Sequence, residues 1–206
     1  MATNKPTLSN HRKALFVMLL LSYCLPAFLL WVEVIPFDLR FHTLIVMTGA
    51  IIGYTVIRKF TLKDLGFRVD TLSGSLAWTA CLLVVTMTAL GILYAANLLR
   101  EPTLLSGSGF YVFYVFVSSP SQEFLCRSTI FAEMKRAKIR RPLLQVLISA
   151  AIYCFLHVVY GDLITLSVTL LMGILWGIIY YKYPNFWGVA FSHAILGAVS
   201  IKLGLI

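Results

Sequence analysis

Charged residues are scarce in this 206-residue chain: Asp, Glu, Lys and Arg make up 12% of it, whereas hydrophobic residues make up 60%. A typical globular domain is about 25% charged and about 45–50% apolar. The mean hydropathy is +0.89, so too few polar side chains remain to cover a surface that faces water. This composition excludes a soluble enzyme, a disordered chain and a nucleic-acid-binding module, although the formal net charge is +9.

The residue patterns of metal and redox sites are missing as well. The four cysteines do not have the spacing of a zinc or redox motif. The H-E-x-x-H helix motif of zinc proteases is absent. We therefore expect no cofactor.

Seven long apolar stretches account for most of the chain. A helix that crosses a bilayer needs about 20 mostly apolar residues, since each residue rises roughly 1.5 Å through a core about 30 Å thick. The stretches that meet or approach this length are Ala14–Trp31, Phe41–Ile57, Gly74–Leu99, Gly109–Ala132, Pro142–Val159, Leu163–Tyr181 and Phe186–Gly204. They predict an all-α polytopic membrane protein with about seven transmembrane helices.

The distribution of Lys and Arg predicts the orientation. With the N-terminus in the cytoplasm, thirteen of the 17 Lys and Arg residues fall in cytoplasmic segments and three fall in segments on the other side of the membrane. The remaining one, Arg127, lies within a span. This asymmetry is the one that the positive-inside rule describes, so we predict N-in/C-out topology. We expect a single membrane domain over residues 1–206, with three spans in residues 1–108 and a four-helix core of catalytic type in residues 109–206.

Two small-residue motifs lie within the predicted spans. Gly49-x-x-x-Gly53 and Gly173-x-x-x-Gly177 place glycines on one helical face. Such faces let helices approach closely, so both motifs predict helix packing.

The fourth predicted span contains a polar tract, Ser118–Arg127. Glu123 and Arg127 stand four residues apart, on one helical face and within reach of an ion pair. Burial of ionisable groups in a membrane is costly, which favours a functional pair over a neutralised pair that only packs the helix. Pro120 cannot donate its amide and disfavours helix at the preceding residue. We therefore expect the span to break here and a helix to restart at Pro120.

Two of the four histidines, His157 and His193, lie deep within predicted spans, whereas His42 lies at the outer boundary of a span and His11 lies in the N-terminal tail. Counted from the cytoplasmic flank at about 1.5 Å per residue, Glu123 lies roughly 18 Å deep, His157 roughly 24 Å and His193 roughly 17 Å. Three helices thus bring a carboxylate and two imidazoles to a similar depth. We predict one polar pocket among the last four helices, with Arg127 one turn closer to the cytoplasm.

This set of side chains indicates hydrolysis. A carboxylate and an imidazole in a cavity of low dielectric constant can share and deprotonate a water, and a second imidazole can donate to an oxyanion. Glu123, His157 and His193 are also the ligand types of a catalytic zinc site. A zinc metalloprotease is therefore an alternative.

Three short motifs, in the same order, resemble those of the CPBP intramembrane proteases, the CAAX prenyl endopeptidase type with its bacterial Abi and bacteriocin self-immunity relatives. The family's Glu-Glu-x-x-x-Arg corresponds to Gln122–Arg127, its Phe-x-x-x-His to Tyr153–His157, and its His-x-x-x-Asn to His193–Gly197. The resemblance covers roughly residues 110–203.

The resemblance implies an intramembrane endopeptidase that hydrolyses a peptide bond near the membrane-embedded or lipid-modified C-terminal segment of a protein substrate. It implies that His157 helps to hold the attacking water, that His193 donates to the oxyanion, and that Arg127 orients the acidic pair. Two positions differ from the family pattern. Gln122 replaces the first glutamate, and Gly197 replaces the asparagine.

These differences leave two classes of function open. In the first, Glu123 replaces the missing base, Gln122 positions the water, and Ser192, Ser200 or a backbone amide assists at the oxyanion. In the second, the chain is a non-catalytic scaffold or immunity protein that sequesters a peptide, because Gln122 and Gly197 lack the motif's chemistry. Both imply a membrane-associated protein or peptide partner and no nucleic acid. The expected location is the bacterial inner (plasma) membrane.

Overall fold

Seven helical segments form within residues 7–101 and 107–205, the parts of the chain that the computed structural model describes. They are α1 (Leu8–Trp31), α2 (Arg40–Ile57), α3 (Leu72–Ala95), α4 (residues 108–136), α5 (Pro142–Leu156), α6 (Leu163–Lys182) and α7 (Phe186–Lys202). No strand occurs in these ranges. Each predicted span overlaps one helix in chain order, so the all-helical prediction is confirmed.

Among the described residues, five segments are long and apolar enough to cross a membrane. They are Leu8–Trp31, Phe37–Ile57, Leu72–Ala95, Pro142–Tyr160 and Leu163–Lys182. Of the other two helices, α7 is apolar but has 17 residues, and α4 contains Glu123, Arg127 and Glu133. The chain is an integral membrane protein; seven spans and the N-in/C-out orientation stay predictions.

Local start signals fix where the last three helices begin. Pro142 occupies the first turn of α5, where its missing N–H costs little. The side chain of Asp162 accepts the backbone N–H of Thr165 at the start of α6, and Asn185 accepts that of Gly188 at the start of α7. The three helices therefore start at the residues where the spans were predicted to start.

The predicted break of the fourth span at Pro120 is wrong. α4 is continuous, and it consists of Ser108–Phe113, a π turn at Tyr114–Ser118, Ser119–Glu123, a second π turn at Phe124–Thr129, and Ile130–Arg136. Ser119 keeps helical backbone angles and donates its N–H to the Tyr114 carbonyl, five residues earlier. This wider turn accommodates the missing N–H of the proline without interrupting the helix.

The second π turn is held by hydroxyl groups from its own helix and from two neighbours. The hydroxyls of Thr129, Tyr23 and Ser149 donate to the backbone carbonyls at positions 124, 125 and 126, over 3.1, 3.0 and 2.8 Å. A backbone carbonyl without a partner is costly in hydrocarbon. These bonds therefore stabilise an irregular turn directly after Glu123.

Only one of the two small-residue motifs packs as predicted within the described residues. A β-carbon at Gly173 would lie 3.1 Å from the Ala150 backbone of α5, and one at Gly177 would lie 3.2 Å from the Val146 side chain. The packing prediction is confirmed for this pair. It is wrong for Gly49-x-x-x-Gly53, because a β-carbon at either glycine would have no neighbour within 4 Å.

A buried ion pair joins α2 to the last turns of α4. Glu133 is fully buried, and its carboxylate accepts hydrogen bonds from Tyr54 Oη at 2.7 Å and from Arg58 Nε at 3.0 Å. A second Arg58 nitrogen lies 3.0 Å from His11 Nδ1 of α1. This cluster connects three helices at the end of the bundle that is predicted to be cytoplasmic.

We expect Arg58→Ala to lower the free energy of unfolding by about 3 kcal/mol, because it leaves the buried Glu133 carboxylate without its counter-charge. Unfolding of the purified protein in detergent, followed by circular dichroism, measures this change. Lys13→Ala is the control, since Lys13 is exposed on α1. Equal stability of the two variants would contradict the prediction.

Candidate active site

Glu123 lies at the centre of a fully buried polar cluster. Its Oε1 atom is 2.7 Å from Nδ1 of His193 on α7 and 3.0 Å from Nη1 of Arg127, one turn further along α4. The ion pair with Arg127 is close, but its N–H is not aligned as a hydrogen bond. Within the described residues, Glu123 Oε2 has no hydrogen-bond partner. One carboxylate oxygen is therefore free to accept a proton or a hydrogen bond.

Aromatic rings enclose the Arg127 guanidinium. Its Cζ atom lies 4.4 Å from the centroid of the Tyr153 ring and 5.5 Å from that of Trp176. One Nη atom is 3.5 Å from the Gly173 carbonyl of α6, at the long end of the hydrogen-bond range. Cation–π contacts and the Glu123 charge together compensate a cation that is fully buried.

Tyr153 connects the two histidines. Its hydroxyl is 3.1 Å from His193 Nε2, and its backbone carbonyl is 2.8 Å from His157 Nδ1. A carbonyl only accepts hydrogen bonds, so His157 carries its proton on Nδ1, and Nε2 of the neutral ring keeps its lone pair. With Glu123 ionised, the same logic places a proton on His193 Nδ1 and lets Tyr153 donate to its Nε2.

His157 lines three cavities, and the two larger ones are the relevant ones beside this cluster. The first, the Gln122 cavity, has a volume of about 220 Å³, and its walls include Arg40, Phe41, Tyr114, Ser118, Gln122, His157 and Tyr160. The second, the His193 cavity, has a volume of about 240 Å³, and its walls include Tyr114, Tyr153, His157, Trp176, His193, Gly197 and Ser200. Both have room for several waters or an apolar side chain.

The structure brings most of the predicted site residues together, by two routes. Glu123, Arg127 and His193 are in direct contact, whereas His157 joins them through Tyr153. All come from the last four helices, as expected.

Gln122 has different neighbours from Glu123. Its Nε2 donates to Ser118 Oγ at 3.0 Å, and it shares the Gln122 cavity with His157. Its Oε1 atom has no hydrogen-bond partner within the described residues. The cavity wall therefore contains an amide side chain where the resembled motif has a carboxylate.

The two serines considered for the oxyanion differ in their surroundings. The Ser192 hydroxyl accepts the indole N–H of Trp176 at 3.1 Å. Ser200 lines the His193 cavity. The geometry therefore favours Ser200 of the two.

Sequence reasoning gave no role to Tyr153, although it begins the second motif, and it missed Tyr114 and Trp176. Tyr153 had a usable signal, because it precedes His157 by four residues and therefore shares its helical face. Trp176 stacks on His193 with ring centroids 4.5 Å apart, but it lies in an apolar helix where a tryptophan predicts only packing. Tyr114 had no sequence signal.

Within residues 7–101 and 107–205, no group of three or more His, Cys, Asp or Glu side chains is arranged to hold a metal ion. Glu123 and His193 are hydrogen-bonded to each other, and His157 turns Nδ1 towards a carbonyl. The zinc alternative stays a prediction that metal analysis of the purified protein tests.

The comparison with protein families agrees with the motif order. Residues 104–199 match the family model described as type II CAAX prenyl endopeptidase Rce1-like. No curated protein and no solved structure matches the chain. The matched range contains the whole cluster, from Tyr114 on α4 to Gly197 on α7. The resemblance that the three motifs predicted is confirmed: residues 104–199 match the Rce1-like family model, which is consistent with the CPBP family.

Proposed function

We propose that this protein is an intramembrane endopeptidase that hydrolyses a peptide bond near the membrane-embedded or lipid-modified C-terminal segment of a protein substrate. The observation that carries the proposal is the hydrogen-bonded series Glu123–His193–Tyr153–His157, which is buried among four helices and ends on a cavity. A structural ion pair would not need a second histidine that lines that cavity. The Rce1-like match supports the same reaction class.

The proposal assigns the general base to His157. The Glu123 side chain has 0% exposure, whereas His157 is partly exposed and lines both cavities. Nδ1–H of His157 is bonded to the Tyr153 carbonyl, which fixes the ring and leaves Nε2 as acceptor. A water in the Gln122 cavity can donate one hydrogen to this nitrogen, and the Gln122 side chain forms part of the wall that holds it.

The proposed reaction then proceeds in two steps. The water oxygen bonds to the substrate carbonyl carbon as its proton passes to His157 Nε2, and the carbonyl oxygen becomes an oxyanion. The carbon–nitrogen bond then breaks, and the same proton passes to the leaving amine. His193 keeps its proton on Nδ1, bonded to Glu123, and accepts the Tyr153 hydroxyl on Nε2, so it holds the cluster in place beside the reacting carbonyl.

Reconstitution tests the proposal directly. The purified protein in liposomes is given a panel of peptides with apolar C-terminal segments, prenylated or unmodified, in water enriched in ¹⁸O. Hydrolysis places one ¹⁸O atom in the new carboxylate, which mass spectrometry detects. Activity that survives a strong chelator excludes the zinc alternative, whereas stoichiometric zinc together with loss of activity on chelation supports it.

One observation favours a second candidate, a non-catalytic membrane protein that binds a peptide segment. The Gln122 cavity has an amide where a carboxylate would be a stronger base. In this case the unmodified protein binds peptides in the panel and cleaves none. Turnover by the unmodified chain excludes this candidate.

Substitution of Gln122 separates the two candidates. For an enzyme, we expect Gln122→Leu to lower kcat by about 100-fold, because the amide that positions the water is lost, and Gln122→Glu to retain activity. Steady-state kinetics on one cleaved peptide measure both. If the unmodified chain is inert and only Gln122→Glu cleaves, the non-catalytic candidate is correct.

We also propose the N-in/C-out orientation and a bacterial inner-membrane location. The orientation is supported by a surface cavity of about 630 Å³ at the predicted cytoplasmic end of the bundle. Cations from two separate segments line it, namely Lys63, Arg68, Lys135, Lys138 and Arg140. Cations gathered at one end are what the positive-inside rule requires of the cytoplasmic side.

A further inference from the structure

Tyr114 occupies the space that the side chain of residue 197 would fill. A β-carbon built on Gly197 would lie 1.8 Å from the Tyr114 hydroxyl oxygen, 2.6 Å from its Cζ and 2.8 Å from its Cε1. No side chain of any kind fits at position 197 while the tyrosine ring stays in place. The glycine and the tyrosine therefore form a complementary pair across α4 and α7.

This pair lies directly beside the buried cluster. Gly197 follows His193 by one helical turn, so both face the same side of α7. The Tyr114 and His193 rings have centroids 6.2 Å apart at an interplanar angle of 73°. Tyr114 is 7% exposed, and together with His157 it lines both the Gln122 cavity and the His193 cavity.

We infer that the Tyr114 hydroxyl is an oxyanion donor, acting from the position that Gly197 leaves open. This inference rests on the proposed function. A tyrosine hydroxyl is a suitable donor for a developing negative charge, and a donor held in place before the reaction needs no reorganisation. The hydrogen bonds that join Glu123, His193, Tyr153 and His157 do not use this hydroxyl.

Local helix geometry makes this position possible. In a regular helix of 3.6 residues per turn, nine residues place Tyr114 about 180° away from Glu123. The π turn at Tyr114–Ser118 changes that phase, because its hydrogen bonds span five residues in place of four. Such turns occur frequently at functional sites. The same turn that accommodates Pro120 thus directs Tyr114 towards α7.

Packing alone predicts a different outcome from a donor role. Phenylalanine at position 114 would fill the same space as the tyrosine ring, so a residue needed only for packing tolerates Tyr114→Phe. Burial of a hydroxyl that has no function is unfavourable unless the hydroxyl is hydrogen-bonded. A donor role predicts loss of turnover with little change in substrate binding, because the oxyanion exists only after water attacks.

The experiment compares kcat, KM and thermal stability for Tyr114→Phe and for Tyr111→Phe, a matched control three residues earlier on α4, with one cleaved peptide. We expect Tyr114→Phe to lower kcat by about 100-fold, with KM changed less than about threefold and the melting temperature unchanged. We expect no kinetic change in the control. Full activity of Tyr114→Phe would overturn the inference and leave the proposed function standing.

A second pair of variants tests the contact itself. Gly197→Ala should lower the melting temperature when Tyr114 is present and have a smaller effect in the Tyr114→Ala background, where the 1.8 Å contact is gone. The two substitutions and their combination form a double-mutant cycle. If their effects on the melting temperature are additive, the close contact is wrong, and the inference fails with it. If the unmodified protein cleaves no peptide in the panel, the proposed function and the donor role both fail, and coupling in the cycle then identifies the pair as packing only.

Discussion

Glu123→Gln should lower kcat for peptide hydrolysis by about 1,000-fold. The substitution keeps the shape of the side chain but removes the charge that lies 2.7 Å from His193 and 3.0 Å from Arg127. Loss of one preorganised electrostatic group in a water-excluded site costs about 10²–10³ in kcat, and Glu123 acts on two partners. Steady-state kinetics in liposomes measure the effect.

Stability must be separated from catalysis in this variant, because Arg127 is left buried without its counter-charge. Loss of one partner of a buried pair costs about 3–5 kcal/mol. The double variant Glu123→Gln with Arg127→Met removes both charges and should recover much of that stability while staying inactive. Recovery of activity in the double variant would show that Glu123 only neutralises Arg127.

Glu133 provides a matched control on the same helix. It is also a fully buried carboxylate paired with an arginine, Arg58, but it lies ten residues further along α4, roughly 15 Å from Glu123 at about 1.5 Å per residue. We expect Glu133→Gln to lower stability and leave kcat within about twofold of the unmodified protein, since general electrostatic effects of a neutralised pair fall off with distance. Equal losses of kcat in Glu123→Gln and Glu133→Gln would refute the assignment of Glu123 to the site.

His157→Ala should lower kcat by about 1,000-fold, in the range of an absent general base. In the proposal this ring accepts the proton of the attacking water through Nε2, and no other imidazole lines the Gln122 cavity in the described residues. The fall of kcat/KM at acidic pH should also disappear in the variant, because that limb reports protonation of the base in the free enzyme.

His42→Ala is the control for His157, since His42 is exposed on α2 and lines neither the Gln122 cavity nor the His193 cavity. Its rate and its pH profile should match those of the unmodified chain. If His157→Ala keeps more than about a tenth of the activity, or keeps the acidic limb, the base is another group. Glu123, through its free Oε2, would then be the next candidate to test.

Helix number and order were predictable because the apolar stretches are long and separated by short polar segments. The starts of α5, α6 and α7 were predictable as well, since a proline or a capping side chain marks each of them. The start of α1 was placed too late, because Thr7 caps the helix in a polar stretch that does not look like part of a span.

The cluster was predictable only in part. Depth along the helices placed Glu123, His157 and His193 at a similar level, and the structure joins them through direct contacts and through Tyr153. Rotation about each helix axis was not predictable, because two π turns change the phase of α4 on either side of Glu123. For this reason the different neighbours of Gln122 and Glu123, Ser118 for the first and His193 for the second, became visible only in three dimensions.

Composition, the lengths of the apolar stretches and the order of the motifs are sufficient to predict an all-helical membrane protein with a polar pocket among its last four helices. The reason is that the cost of polar groups in hydrocarbon restricts where they can lie. Contacts between helices determine which side chains meet within that pocket. The sequence does not show which residue packs against Gly197, whereas in the fold the absence of a side chain at Gly197 leaves the space that Tyr114 occupies. Such pairing depends on how helices rotate and pack against each other, and residue spacing along one helix does not contain that information.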